Sequence, residues 1–232
     1  MAKSFHFLYW PRDLEERVLE LLELRKKAGL LLDNEQRPLI IWEPAPLSCN
    51  KKQLSSLFSA LKVVDVCSPN HLELLRLFGE QPSSPFSRAQ VEDLARRIFD
   101  SGVGPRRTGT VVIRAGEHGA MTLNPHDGIC HWIPPYYGSS LSPAEGESQS
   151  SGVVDATGAG NAFLGAYAIG YLKTGDIKEA ACYGSVAASF VLEQRGMPRR
   201  KATDGQEKWN DSDVHDRLNT YLEQVFMSTH RR

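Results

Sequence analysis

Three short runs of the chain, Pro38–Trp42, Val63–Cys67 and Val111–Ile113, are apolar at nearly every position, without the alternation of a half-exposed strand. Strands of that kind are buried on both faces, which points to a parallel sheet covered by helices. The segments around them repeat their apolar residues at the helical period. From Pro11 to Gly29, Leu14, Val18, Leu21 and Leu22 share a face, with a proline where a first turn tolerates it and a glycine as a stop. Ser48 or Asn50 can cap a helix to about Leu61, Ser68–Pro69 opens another to Phe78, and Ser87 caps Arg88–Asp100. Helix and strand in alternation predict βα units on a mostly parallel sheet.

After Gly116 the pattern changes. Ala120–Leu123 and Ile129–Ile133 flank Asn124–Gly128, which predicts a hairpin or two antiparallel edge strands. Residues 138–152 are rich in Ser, Gly and Glu and read as a surface loop. Two Ala- and Gly-rich helices follow over Ala159–Thr174 and Ile177–Gln194. A last helix from about Asp211 carries Val214, Leu218, Tyr221, Leu222, Val225 and Phe226 on one stripe. At the other end, Phe5, Phe7, Leu8, Tyr9 and Trp10 either form the first strand of the core or patch a sheet edge. The expectation is one α/β domain over residues 1–232.

Composition excludes several classes. With 232 residues, 41% of them apolar, the chain can bury a core without disulfide or metal staples. Its 27 Lys and Arg against 28 Asp and Glu leave no electrostatic footprint for nucleic acid or an anionic membrane. The longest nearly apolar stretch, Ala162–Leu172, falls well short of the ~20 residues a bilayer needs. No leader or lipidation box is legible at the ends. Four cysteines, Cys49, Cys67, Cys130 and Cys182, stand singly, as reduced buried thiols do, so the expected compartment is the cytoplasm.

The chemistry concentrates in Val153–Gly165. A short apolar strand end is expected to run into Gly158-Ala159-Gly160, which starts an apolar helix. Glycines without Cβ let backbone N–H groups converge on an anion, and the helix N-terminus adds partial positive charge. A bare Gly-x-Gly also serves as a tight strand-to-helix turn; Asp155 and Thr157 alongside favour the anion site. His118, His126 and His131 match no metal spacing, and His71, His126 and His131 are acid–base candidates only for a fold put to other use.

The stretch Asp155-Ala-Thr-Gly-Ala-Gly-Asn161 resembles the Asp-Thr-x-Gly-Ala-Gly-Asp signature of the ribokinase-like, PfkB-type carbohydrate and nucleoside kinases. Two further pieces follow the family's order. Asn70-His-Leu-Glu73 is similar to its Asn-x-x-Glu motif, and Arg114-Ala-Gly116-Glu-His-Gly119 to its Thr-x-Gly-x-x-Gly loop. Ile41-Trp-Glu-Pro-Ala-Pro and the terminal Asn161 resemble the fungal "maintenance of killer" branch. The resemblance implies a three-layer α/β/α ribokinase-like domain, shortened at its N-terminus, that transfers phosphate from ATP to a sugar- or nucleoside-like hydroxyl. Gly158, Ala159 and Gly160 would form the anion hole. Asn161 would stand at the catalytic position, Asn70 and Glu73 would sit by Mg²⁺, and Gly116, Gly119 and Thr157 would line the nucleotide site. Asp155 would orient the loop or a monovalent cation.

Two departures shape the expectation further. The family has an aspartate where this chain has Asn161, and a carboxamide has no useful basicity toward a substrate hydroxyl. The family's acceptor-binding front also has no counterpart here, which would leave a sheet edge or apolar face for a homodimer or a partner protein to cover. Kinase activity is therefore expected to be weak or lost. The alternatives are a pseudokinase or interaction protein, or a non-kinase enzyme reusing the fold.

Overall fold

The apolar runs become strands. In a computed structural model, which describes residues 2–30, 37–124, 126–138, 152–203 and 206–229, four strands lie side by side in chain order and all parallel. They are β1 (Ser4–Tyr9), β2 (Leu39–Pro44), β3 (Val66–Cys67) and β4 (Thr110–Arg114). With β5 (Ala120–Leu123) and β6 (Cys130–Ile133) they make a six-stranded sheet ordered β1-β2-β3-β4-β5-β6. The register sets Phe5 opposite Ile40 and Trp42 opposite Cys67. Four helices occupy the crossovers: α1 (Pro11–Lys27), α2 (Leu54–Ala60), α3 (His71–Phe78) and α4 (Arg88–Ser101). Three more follow the sheet, α5 (Ala159–Thr174), α6 (Ile177–Leu192) and α7 (Val214–Thr229).

The chain divides into two compact units, Met1–Ala115 with Met121–His131, and Gly116–Ala120 with Trp132–Arg232. In the first, every residue of β2 is buried, so a parallel strand shows no alternation. Leu14 and Val18 of α1 are fully buried as well. Asp65 interrupts the second apolar run for a structural reason: its Oδ2 accepts the Ile40 amide at 2.8 Å and pairs with Arg37. That use of the side chain, and a 3₁₀ turn over Leu61–Val63, shorten the expected Val63–Cys67 strand to two residues. The aromatic start of the chain is a strand, β1, at the sheet edge, with Leu8 50% exposed.

In the second unit, Phe163, Leu164 and Tyr167 of α5 and Ala180, Ala181 and Cys182 of α6 are buried, as are Leu218, Tyr221 and Val225 of α7. Glu193, at the end of α6, gathers a polar network. Its Oε1 accepts from Tyr137 Oη at 2.5 Å and from Arg217 at 2.6 Å, and its Oε2 accepts from Asn210 Nδ2 at 2.6 Å. The Arg217 guanidinium also lies 3.8 Å over the Phe190 ring, a desolvated cation–π contact.

Three expectations need adjusting. Val153–Val154 is not a strand; both residues are exposed and the Val154 amide donates to the Leu192 carbonyl at 2.7 Å. A second, three-stranded antiparallel sheet, β7 (Arg200–Thr203), β8 (Gln206–Trp209) and β9 (Ser212–Asp213), was not expected. Its strands are mostly polar and exposed, so no alternation marks them. Of the expected surface loop 138–152, residues 139–151 lie outside the described residues.

Candidate functional site

In open α/β sheets, ligands gather at the carboxyl ends of the strands. In the first unit that position holds a closed set of charges. Glu43 is the penultimate residue of β2, Arg114 the last of β4, and Asn70 follows β3 as the N-cap of α3. Arg114 Nη2 lies 2.7 Å from Glu43 Oε1 and 3.6 Å from Glu73 Oε2, and donates to the Ser68 carbonyl at 3.0 Å. His6 Nε2 stands 3.1 Å from the other Glu43 oxygen. The side chains of Glu43, Glu73 and Arg114 are only 8%, 4% and 12% exposed, so Coulomb attraction is little screened. Arg114 Nε and Ser68 Oγ are buried with no hydrogen-bond partner among the described residues.

The two carboxylates are driven apart. Burial pushes Glu43 upward, but His6 and Arg114 outweigh it and hold its carboxyl below the usual range. Burial pushes Glu73 up, and the neighbouring Glu43 charge adds to it, against the Asn70 amide and Arg114. Nearby Cys49 is a buried thiol raised to about 12 by desolvation, with Glu73 adding to the shift, a setting that favours the thiol over the thiolate.

Asn70 and Glu73 do stand together, as a reciprocal capping box: Asn70 Oδ1 accepts the Glu73 amide at 2.9 Å and Glu73 Oε2 accepts the Asn70 amide at 2.8 Å. A solvated helix surface is excluded, since Glu73 is 3% exposed. This donor set does not fit a divalent cation. The Asn70 oxygen is engaged, Glu73 is pushed toward its neutral form, and a guanidinium already stands against both carboxylates. Among the described residues, no group of three His, Cys, Asp or Glu could hold a metal ion, the His118, His126 and His131 neighbourhood included.

The second unit offers the opposite kind of site. Asp155 Oδ1 accepts the Thr157 amide at 3.0 Å, and this bond with one from the Thr157 side chain holds the carboxyl below its ordinary range. Gly158 follows with φ of +85° as the N-cap of α5, a left-handed conformation that favours glycine. As a glycine, this N-cap has no side chain with which to cap the first amides of the helix. Ala159 donates to Ala156 and Ala162 to Gly158, so the Gly160 and Asn161 amides have no intrahelical acceptor. Gly158 and Asn161 are exposed. The turn rests on the end of α6, whose Leu192 carbonyl accepts both the Val154 and Asp155 amides.

Gly116 and Gly119 bracket a 3₁₀ turn, both with positive φ. A Cβ on Gly119 would come 2.1 Å from the Ile133 carbonyl oxygen, so close approach to β6 by itself requires that glycine. A Cβ on Gly116 would meet nothing within 4 Å. Sequence reasoning assigned no role to His6, Glu43 or Arg114. The available signals were a glutamate closing an apolar strand and an arginine where the family pattern has threonine.

Residues 13–199 match the pfkB family of carbohydrate kinases. An uncharacterised protein of Schizosaccharomyces pombe is 34% identical over 99% of this chain and 61% of its own length. Protein MAK32 of Saccharomyces cerevisiae is 29% identical over 95% of this chain and 57% of its own. The chain thus spans about three fifths of the curated relatives it matches. Fructokinase from Vibrio cholerae, solved with fructose, ADP and calcium ion, superposes with a TM-score of 0.57 over 96% of this chain and 61% of its own, at 16% identity. That likeness bears on fold alone, and the fold is the three-layer ribokinase-like α/β fold with a mostly parallel sheet.

Proposed function

This chain belongs to the pfkB family of carbohydrate kinases, and on that premise we propose that it is the phosphoryl-handling part of an ATP-dependent phosphotransferase for a sugar- or nucleoside-like hydroxyl, with transfer weakened by Asn161. The observation that carries this reading is the uncapped N-terminus of α5 behind Gly158. Free amides on a helix start bind anionic oxygens, and phosphoryl transfer depends chiefly on positioning and charge stabilisation. Gly158, Ala159 and Gly160 hold the charge that develops on the transferred group. Asn161 orients the acceptor hydroxyl through a hydrogen bond and cannot take its proton. Thr157, Gly116 and Gly119 serve the nucleotide, and Asp155 braces the turn from below or faces a monovalent cation.

The two units act as one ribokinase-like domain, a reading supported by a family match that runs through both. Four free cysteines suit the cytoplasm, and among the described residues no helix is long and apolar enough to cross a membrane. The experiment is calorimetric titration with ATP, followed by turnover with candidate sugars. Binding is expected in the native chain and lost in Gly160→Val, while Asn161→Asp raises turnover by ~10²–10⁴-fold. ATP binding that Gly160→Val leaves unchanged would sink the anion-hole reading.

A second reading, a pseudokinase or interaction protein, has its own support. Ile169 and Leu172 on α5 are 56% and 46% exposed, and Val153 and Val154, which precede the glycine turn, are exposed as well. On this reading a homodimer or partner covers such residues. A purified chain that sediments as a monomer and turns over ATP in its Asn161→Asp form removes it.

A further inference from the structure

We propose that Arg114 is the resident cation of the strand-end carboxylates, standing where the family resemblance puts a divalent ion, so that the Asn70–Glu73 motif of this chain holds no metal. The geometry is specific. One guanidinium nitrogen, Nη2, reaches Glu43 at 2.7 Å and Glu73 at 3.6 Å and is fixed by the Ser68 carbonyl at 3.0 Å. Arg114 comes from the last position of β4, Glu43 from β2, and Glu73 from the first turn of α3. Three separate elements therefore converge on one buried charge.

The consequence follows from charge and coordination together. Mg²⁺ and Mn²⁺ want six oxygens at near-octahedral positions, and the usual protein contribution is one or two carboxylates. Here Glu43 and Glu73 are the two available, and both face the guanidinium. A divalent ion entering between them meets a positive charge about 4 Å away in a poorly screened setting. That repulsion weakens binding on the order of a hundredfold or more. Asn70 offers no replacement, since its oxygen accepts the Glu73 amide. Arg114 thus turns an Asn-x-x-Glu motif from a metal-handling element into an ion-paired brace.

The inference stands apart from the phosphoryl-transfer reading, and its test leaves nucleotide out, so failure of one does not disguise itself as failure of the other. Mn²⁺ is titrated into the purified chain, and free Mn²⁺ is followed by electron paramagnetic resonance. The native chain is expected to show no site tighter than about 1 mM. Arg114→Met is expected to gain one, on the order of a hundredfold tighter, which is lost again when Glu43→Gln is added. Arg114→Gln, which keeps a hydrogen-bonding head, serves if the methionine variant does not fold; its melting temperature should rise with Mn²⁺ while that of the native chain does not. The native arm requires no variant to fold. Tight Mn²⁺ binding by the native chain that disappears in Glu73→Gln overturns the proposal. So does a folded Arg114 variant that gains no site.

Discussion

The strand-end cluster of the first unit and the glycine turn of the second answer the same electrostatic question in opposite ways. At Glu43, Arg114 and Glu73 the charges are on side chains, are buried, and are matched against one another. At Gly158–Asn161 the partial charge belongs to the backbone of a helix start whose N-cap glycine has no capping side chain, with Gly158 and Asn161 exposed. A cluster whose carboxylates already face a guanidinium has little left to offer a cation. A helix start with free amides has a standing demand for an anion. Motif matching gives both regions equal weight, whereas their geometry differs: the carboxylates of one already face a guanidinium, and the amides that open the helix of the other have no intrahelical acceptor.

That contrast can be attacked from both sides. The largest expected effect is on the support under the turn. Glu193→Ala strands Arg217, whose side chain is 11% exposed, and should cost about 3 kcal/mol in urea unfolding. Because the turn hangs from Leu192 beside Glu193, amide exchange at Gly158–Asn161 should speed up in this variant. An equally destabilised variant in the first unit, such as Val18→Ala, should leave that exchange unchanged. If both variants loosen the turn alike, the α6 end has no special part in positioning it.

The closed cluster makes a subtler prediction about pH. Glu43 is lowered in the folded chain, so its contribution is fully present above its unfolded value of 4.5 and is lost as pH falls through the lower folded value. Glu73 is raised, so burying its charge costs stability near neutrality, and that cost is relieved as pH falls toward 4.5. Glu43→Gln should therefore flatten the acid loss below 4.5, and Glu73→Gln the relief above it. Chemical denaturation across that range checks both arms; identical profiles for the two variants would mean the carboxylates are not held apart. The smallest effect is the cap. Asn70→Ala should cost ~1 kcal/mol through loss of one box hydrogen bond. The melting temperature should drop by the same amount with and without Mn²⁺.

Much of the architecture is readable from residue order because it depends on local patterns. Apolar runs such as Leu39–Trp42, helix caps such as Ser87, and the Pro11 start of α1 carry their structural meaning within a few residues. The capping box was overlooked, with Ser68–Pro69 read as the helix start, although Asn-x-x-Glu ahead of an apolar helix is a helix-start signature as well as a kinase motif. The polar strands β7, β8 and β9 were hidden because pairing between exposed charged residues leaves no hydrophobic period. Val153–Val154 misled for the converse reason: two apolar residues suggested a strand, but their position on the end of α6 leaves them exposed.

Residue identity and short spacing carry the family signature, the alternation of βα elements, and the asparagine, Asn161, that ends the glycine motif. That Arg114 meets Glu43 and Glu73 emerges only in the folded chain. Those residues are separated by long stretches of chain and come together because parallel strands deliver their carboxyl ends to one edge of the sheet.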